Sequence, residues 1–449
     1  MQSDIHKRTV AKVMGRLIPF MVGMYFLNFL DRVNIGFAAL QMNKDLGFTP
    51  EMYGFAAGIL FVGYVAFEVP SNLIMSKIGA RVWLARIMIM TGVLATCMAF
   101  VSGKYSLYTL RALVGVAEAG FFPGIMFYLV RWVPAQDRAK AITLFMLGNP
   151  VSVIFGAPLS TLIMSHLDHV AGLAGWQWLF IVQGVPTALM GVAAIWYLTE
   201  RPQEAKWLKP EERDWLVERV EAEAKAKRAL PASVPNWTGV FTHVPTLALC
   251  LCKFSVLTAF FGLTLWLPQI IKSFGNVSNT EVGLLTALPY IFSAIASVVI
   301  GRHSDRTGER TYHIAIPATI GAIAFVVAGL TIRSPATSLA AMCVAATGLW
   351  VANTVFWTLP SSILTGTTAA VGFALINMLG NMGGFVGPYI TGWAKGLTGS
   401  YTGALAMLGG FLLLDAIVIV WLGRTGVGKR EPGYTATPSG IAPIVNTGR

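Results

Sequence analysis

Apolar segments of about 20 residues alternate with short polar segments along the whole chain, and a helix of this length crosses a bilayer. The pattern therefore predicts an all-α membrane protein. Twelve such segments are present, at residues 17–39, 52–75, 82–102, 106–130, 141–164, 177–198, 245–270, 281–300, 314–332, 338–362, 370–394 and 402–423.

Composition supports a membrane protein and argues against a soluble one. Hydrophobic residues make up 55% of the 449 positions and charged residues 12%, whereas soluble domains carry about 25% charged residues. The net charge of +12 does not indicate nucleic-acid binding, because its distribution follows the predicted topology. Counting Arg86 at the start of the third span, 25 of the 33 Lys and Arg residues fall on the side of the N-terminus and five on the other. The positive-inside rule then places both termini in the cytoplasm.

One long polar stretch, residues 199–244, separates two sets of six spans. We predict an N-terminal bundle (1–198), a cytoplasmic linker (199–244), a C-terminal bundle (245–423) and a cytoplasmic tail (424–449). The linker contains a predicted surface helix that starts at Pro210 and carries the i,i+4 pairs Glu221–Lys225 and Glu223–Lys227. We favour a solvated tether over a docking element.

Two short matches indicate that the halves are repeats. "NLIMSKIGAR" (72–81) aligns with "GRHSDRTGER" (301–310) at an offset of 229 residues, and "LGNPVSVIFGAP" (147–158) aligns with "LGNMGGFVGP" (379–388) at an offset of 232. Parallel six-helix repeats with a substrate site between them are typical of secondary transporters.

The loop 301–310 resembles the signature of the major facilitator superfamily, which implies its two-bundle fold and a gating role for Asp305, Arg306 and Arg310. The first-half copy differs, since Ser76 occupies the Asp position. "NFLDRVNIGFA", "GYVAFEVPSNL" and "LRALVGVAEAGFFPG", in spans one, two and four, resemble the anion:cation symporter family, with bacterial tartrate carriers the most similar members.

Spans one and four carry four charges inside apolar surroundings. Arg111 and Glu118 are seven residues apart, so they lie on one helix face about 10 Å apart. Asp31 and Arg32 are adjacent and project about 100° apart. Because each charge at a bilayer centre costs roughly 2.5–3.5 kcal/mol, such groups are expected to be paired or to face a cavity. We predict that Asp31 lies near Arg111, and Arg32 near Glu118 or the cavity; a purely structural quartet is the alternative.

This arrangement suggests a transport mechanism. Arg32 and Arg111 are predicted to bind an organic anion, because guanidinium groups hold carboxylates in a fork. Asp31 and Glu118 are predicted proton carriers: a buried carboxylate that loses its arginine to the substrate gains affinity for a proton. The family resemblance implies the same role for these two acids.

Further predicted substrate-binding residues are polar or aromatic side chains within other spans: Tyr64, Asn149, Trp357, Ser361, Asn377, Asn381 and Lys253. For the asparagines, helix packing is the alternative. Lys253 either extends to the membrane interface or faces the cavity as a second cationic anchor for a dicarboxylate. Glu68, near the predicted cytoplasmic end of span two, is a predicted gate residue.

These observations favour a proton-coupled symporter that imports a small organic anion, tartrate or a similar hydroxy-dicarboxylate, into a bacterial cell across the inner membrane. Carriers of aromatic acids (phthalate, hydroxyphenylacetate) or sugar acids, and an anion uniporter or exchanger, are the alternatives. The sequence has no Walker loop or nucleophile motif, so a pump or an enzyme is not predicted. We expect a monomer whose partners are the anion, the proton and lipid, with no cofactor, metal or nucleic acid.

Overall fold

The computed structural model describes residues 2–229, 241–363 and 366–425, almost entirely as α-helix. The helices of the first half and of the linker are α1 (Gln2–Val33), α2 (Ile35–Asp45), α3 (Pro50–Ile78), α4 (Ala80–Cys97), α5 (Lys104–Glu118), α6 (Phe121–Trp132), α7 (Ala135–Met146), α8 (Gly148–His166), α9 (Gly175–Tyr197) and α10 (Pro210–Ala229). Those of the second half are α11 (Val244–Lys272), α12 (Asn279–Thr307), α13 (Thr311–Leu330), α14 (Pro335–Phe356), α15 (Pro360–Ile363), α16 (Gly366–Thr398) and α17 (Thr402–Arg424).

Within the described residues, eleven helical segments are long and apolar enough to cross a membrane. They coincide with the predicted spans except for span eleven, where the structure has the 33-residue helix α16. The all-helical membrane architecture is therefore confirmed. The first helix begins much earlier than predicted, because the polar N-terminal arm continues span one as helix from Gln2.

Three predicted spans are interrupted helices. Span one divides at Asn34 between α1 and α2, span four at Ala119 and Gly120 between α5 and α6, and span five at Leu147 between α7 and α8. At Gly120 the backbone adopts a left-handed conformation with φ of 88°, which a glycine adopts without steric cost. Broken helices deep in a membrane bundle are tolerated where the freed backbone groups find protein partners.

The helix contacts have the same pattern in both halves. In the first half α3 packs on α5 and α4 on α9; in the second, α12 packs on α14 and α13 on α17. Contacts between the halves run along α3 with α16 and α8 with α12. The aligned loop glycines also match, since Gly79 (φ 104°) and Gly308 (φ 71°) both have positive φ.

The linker helix α10 is docked on the first half, so the expectation of a solvated tether is wrong. Leu216 on α10 is fully buried, and the Trp207 ring just before the helix stacks 5.5 Å from that of Trp132. Ion pairs join α10 to α1 and α7, through Lys12–Glu212 and Arg138–Glu223. Glu223 therefore bonds to α7.

Candidate functional site

Helices α3 and α5 are packed with their backbones in contact, and this packing sets the position of the charges on span four. A β-carbon at Gly63 would overlap the carbonyl oxygen of Ala112, and one at Gly115 would overlap that of Leu60. Small residues allow membrane helices to approach in this way. Glu118, one turn beyond Gly115, is the last residue of α5.

Arg32 and Glu118 form an ion pair between spans one and four, as the sequence predicted. Arg32 Nε donates to Glu118 Oε2 at 2.9 Å, and Nη2 donates to the same oxygen. The Arg32 side chain is 14% exposed and Glu118 is fully buried. Glu118 Oε1 is buried and accepts no hydrogen bond from the described residues. One oxygen of the Glu118 carboxylate thus binds Arg32, while the other has no hydrogen bond within the described part of the chain and can accept one.

Asp31 and Arg111, which were expected to lie near each other, interact electrostatically but form no ion pair in the described residues. Arg111 donates instead to backbone carbonyls, through Nε to Ala56 and through Nη2 to Arg32 and Ala57, at 3.3–3.4 Å. Asp31 accepts a 3.5 Å bond from Asn34 Nδ2, and its Oδ2 has no partner in the described chain. Arg111 therefore binds backbone carbonyls of α3 and of α1, and Asp31 is a buried acid whose cationic neighbour, Arg111, is not in ion-pair contact.

A second cationic cluster lies in the second half, around Lys253 on α11. Lys253 is 3% exposed, so it does not extend to the interface. Its Nζ donates to Asn353 Oδ1 at 2.6 Å and lies 4.5 Å from the centre of the Trp357 ring. A β-carbon at Gly380 would overlap the Lys253 side chain, so α16 packs directly against it.

The two clusters are connected through aromatic side chains at the contact between the halves. The guanidinium of Arg32 lies 5.3 Å from the Tyr64 ring and 5.8 Å from the Phe61 ring. Phe61 in turn lies 4.2 Å from Phe261 on α11 and contacts Gly384 on α16. Tyr64 therefore lies beside the Arg32–Glu118 pair, as its predicted role requires.

The asparagines have different environments. Asn377 Nδ2 donates to Glu68 Oε1 at 2.6 Å, which joins the two halves near their predicted cytoplasmic side. Asn381 donates within its own helix to the Asn377 carbonyl, and Asn149 donates to the Tyr25 hydroxyl at 3.1 Å. Glu68 is thus placed as a predicted gate residue should be, and Asn377 is its partner.

The signature loop forms local contacts within the second half. Arg310 Nη1 donates to Asp305 Oδ1 at 2.7 Å and to Ser304 Oγ at 3.0 Å, while Arg306 is exposed. In the first half, the Glu200 carboxylate accepts from the backbone nitrogens of Ala80 and Arg81 at the start of α4. The side chain of Ser361, a predicted substrate residue, lies outside the described residues.

Three residues of the site were missed from the sequence: Asn353, Tyr25 and Phe61. Asn353 lies one turn before Trp357 on span ten, a spacing that placed both on one helix face. Tyr25 and Phe61 carried no signal, because aromatic residues are common in apolar spans. Among the described residues, no group of three or more His, Cys, Asp or Glu side chains is arranged to hold a metal ion.

A bundle of apolar helices in two similar halves, with a charged pair in one half and a buried lysine in the other, defines a multi-pass membrane transporter. The family model described as Major Facilitator Superfamily matches residues 21–388 and 276–444. The chain belongs to the major facilitator superfamily and is a transporter, not an enzyme.

Two relatives and one solved structure show how far the similarity extends. A protein of Agrobacterium vitis, provisionally named as a tartrate transporter, is 46% identical over 427 residues, covering 94% of this chain and 93% of its own. A quinolone resistance transporter of Acinetobacter baumannii is 39% identical over 416 residues, 92% of this chain and 95% of its own. A bacterial homologue of the human lysosomal transporter Spinster has the same fold, with a TM-score of 0.71, 16% identity, and coverage of 91% and 96%.

Proposed function

We propose that this protein is a proton-coupled symporter that imports a small organic anion across a bacterial inner membrane, with twelve spans and both termini in the cytoplasm. A hydroxy-dicarboxylate such as tartrate is the proposed cargo. Support for the cargo comes from the relative named for tartrate transport and from two cations in opposite halves, the largely buried Arg32 and the buried Lys253.

The observation that carries the proposal is the Arg32–Glu118 pair. An arginine pairs as readily with a substrate carboxylate as with Glu118, and Glu118 Oε1 has no competing hydrogen bond. When the substrate takes the guanidinium, Glu118 is left buried without a counter-ion and binds a proton. The anion and the proton therefore enter the site together.

Arg111 and Asp31 have supporting roles in this proposal. Arg111 joins the backbone of α3 to the Arg32 carbonyl on span one, and so positions the anion site. Asp31, buried and without an ion-pair partner among the described residues, is the second candidate proton carrier of the first half. Asn149, Asn377, Asn381, Trp357 and Ser361 remain proposed substrate contacts, and Asp305, Arg306, Arg310 and Glu68 proposed gate residues.

Transport in proteoliposomes tests the proposal. With an inward proton gradient, wild-type protein should accumulate labelled tartrate above equilibrium. Glu118→Gln should abolish this accumulation and retain tartrate counterflow, because the amide mimics a permanently protonated acid. Glu218→Gln, an exposed acid on α10, is the matched control. Accumulation that persists in Glu118→Gln would rule out the proposed coupling.

An exporter of a larger, aromatic cargo is the second candidate. The observation in its favour is the quinolone resistance transporter, which is 39% identical over nearly the whole chain. Counterflow with phthalate, hydroxyphenylacetate or a labelled quinolone in place of tartrate distinguishes the two cargoes.

A further inference from the structure

Asp415, in the middle of α17, is the most anomalous acid in the second half. It is fully buried, and the thiol of Cys252 on the packed helix α11 is the one weak donor beside its carboxylate among the described residues. A carboxylate ion in apolar surroundings with so weak a donor is strongly disfavoured, so an acid in such a place is either neutral or paired with a cation. Acids of this kind inside membranes commonly belong to proton pathways.

The cation that acts on Asp415 is Lys253, on the packed helix α11. Electrostatic interactions of the Asp415 carboxyl involve Lys253 and the neighbouring thiol of Cys252. Lys253 is not within ion-pair distance, however, because its ammonium is hydrogen-bonded to Asn353 and lies over the Trp357 ring. The lysine is thus turned away from the acid and toward the proposed anion site.

Two other helices, α13 and α16, pack on α17. In the described residues, neither places a charged side chain beside Asp415. The titratable groups of α13 are Tyr312 and His313 in its first turn, where α17 has already reached Gly423. On α16, Lys395 lies over the ring of Tyr401, at the opposite end of α17. Lys253 and Cys252 are therefore the groups that control the charge on Asp415.

We propose that Asp415 is a proton-binding residue of the second half that exchanges the Lys253 ammonium for a proton when the lysine moves to the transported anion. In one arrangement, the carboxylate and the ammonium are paired and neutralise each other. In the arrangement seen here, Lys253 contacts Asn353 and Trp357, so that a proton from solvent binds the Asp415 carboxylate to give the neutral acid and the ammonium is free for a substrate carboxylate. One proton thus enters with each substrate charge that Lys253 binds.

This inference rests on the proposed function for its role in transport, but its central claim does not require a known cargo. It predicts that the two halves use the same chemistry. Lys253 corresponds to Arg32 as the cation that binds the anion, and Asp415 corresponds to Glu118 as the acid that binds the proton. A dicarboxylate then moves with a proton for each of its two charges.

Infrared difference spectroscopy of the ligand-free protein between pH 5 and pH 9 tests the claim, read at the C=O stretch of protonated carboxyl groups. Wild-type protein should show a titrating band that Asp415→Asn removes. In Lys253→Met the Asp415 band should persist to higher pH, because the ammonium that stabilises the carboxylate is gone. Asp214→Asn, an exposed acid on α10, should leave the spectrum of the buried acids unchanged.

Two outcomes would overturn the inference: a spectrum unchanged by Asp415→Asn, or an Asp415 band whose pH dependence is unchanged by Lys253→Met. If Asp415→Asn does not fold, Asp415→Leu provides the reference spectrum, since apolar residues commonly replace buried charges without loss of stability. The transport assay of Glu118→Gln is independent of this band, so failure of the proposed symport and failure of the Asp415 claim are distinguishable.

Discussion

At the scale of single residues, the site depends on the geometry of one guanidinium group. Arg32 Nε and Nη2 both donate to Glu118 Oε2, so the group is oriented before any substrate arrives. A lysine carries the same charge but presents a single point donor in place of the planar fork. Charge alone is therefore not sufficient for the proposed anion site.

Arg32→Lys should weaken tartrate binding roughly 10- to 150-fold, because charge-assisted hydrogen bonds contribute about 1.5–3 kcal/mol. Titration calorimetry on detergent-solubilised protein measures the effect. Arg302→Lys, at an exposed position in the loop after span eight, is the matched control and should bind like the wild type. Unchanged affinity in Arg32→Lys would move the anion site away from Arg32.

The sequence predicted one of the two charge pairs and not the other, for a physical reason. Residue spacing along a straight helix placed Arg32 toward Glu118 correctly. It also placed Asp31 near Arg111, but backbone carbonyls of α3 and α1 take the Arg111 donors, so the two side chains interact without an ion pair. Where backbone acceptors lie within reach of a guanidinium, side-chain spacing alone does not decide the pairing.

At the scale of helices, close backbone packing keeps the charged residues in register. Glycines at 63 and 115 let α3 and α5 touch, and Glu118 ends α5 one turn later. Length and hydropathy predicted where the spans are, because a helix that crosses the bilayer needs about 20 mostly apolar residues. They did not predict the interruptions of spans one, four and five, because these depend on tertiary partners for the freed backbone groups.

Gly115→Ala should lower stability by about 1–3 kcal/mol, since the added methyl group overpacks the contact with Leu60. Thermal unfolding in detergent measures the loss. Gly410→Ala, on a helix where a β-carbon meets nothing within 4 Å, is the matched control, and its unfolding temperature should be unchanged or higher. Equal stability of Gly115→Ala and wild type would contradict the packing argument.

The docking of α10 should depend on pH through Glu212. Burial raises the pKa of Glu212, but hydrogen bonds from Lys12 and the Lys209 backbone, with the charges of Lys12 and Arg8, lower it more, so that the folded pKa lies below the ordinary 4.5. Because the folded-state pKa is depressed, the stabilisation is present above pH 4.5 and is lost as the pH falls through the folded value.

The unfolding temperature of wild type should therefore exceed that of Glu212→Gln at pH 5.5–7, and the difference should shrink below pH 4.5. Glu218→Gln, exposed on the same helix, should follow the wild type throughout. A difference that stayed constant down to pH 3.5 would exclude Glu212 as the origin of the docking energy.

At the scale of the whole molecule, the hydrogen bond between Glu68 and Asn377 links the two halves near the predicted cytoplasmic side of α3. Repeats in the sequence predicted two similar halves, and the paired helix contacts agree with that expectation. The contacts across the halves were not predictable, since they join residues some 300 positions apart with no repeat relation.

Glu68→Ala should favour separation of the halves on the predicted cytoplasmic side. Electron–electron resonance between spin labels at the exposed positions Lys77 and Arg302 should then show a shift to longer distances. Ser76→Ala, which removes only a bond within α3, is the control and should leave the distances unchanged. Identical distributions for Glu68→Ala and wild type would exclude Glu68 as a gate.

The contact between α3 and α16 is built largely from backbone, because Gly54, Gly58 and Gly384 each lie against the opposite half. Glycine has no side-chain rotamers to restrict, so these three positions add no side-chain conformational entropy cost when the contact closes. The proposed balance between open and closed arrangements therefore depends mainly on the polar contacts across the halves, such as that of Glu68 with Asn377. Under the proposed coupling, a proton or anion that changes those contacts shifts the whole molecule from one arrangement toward the other.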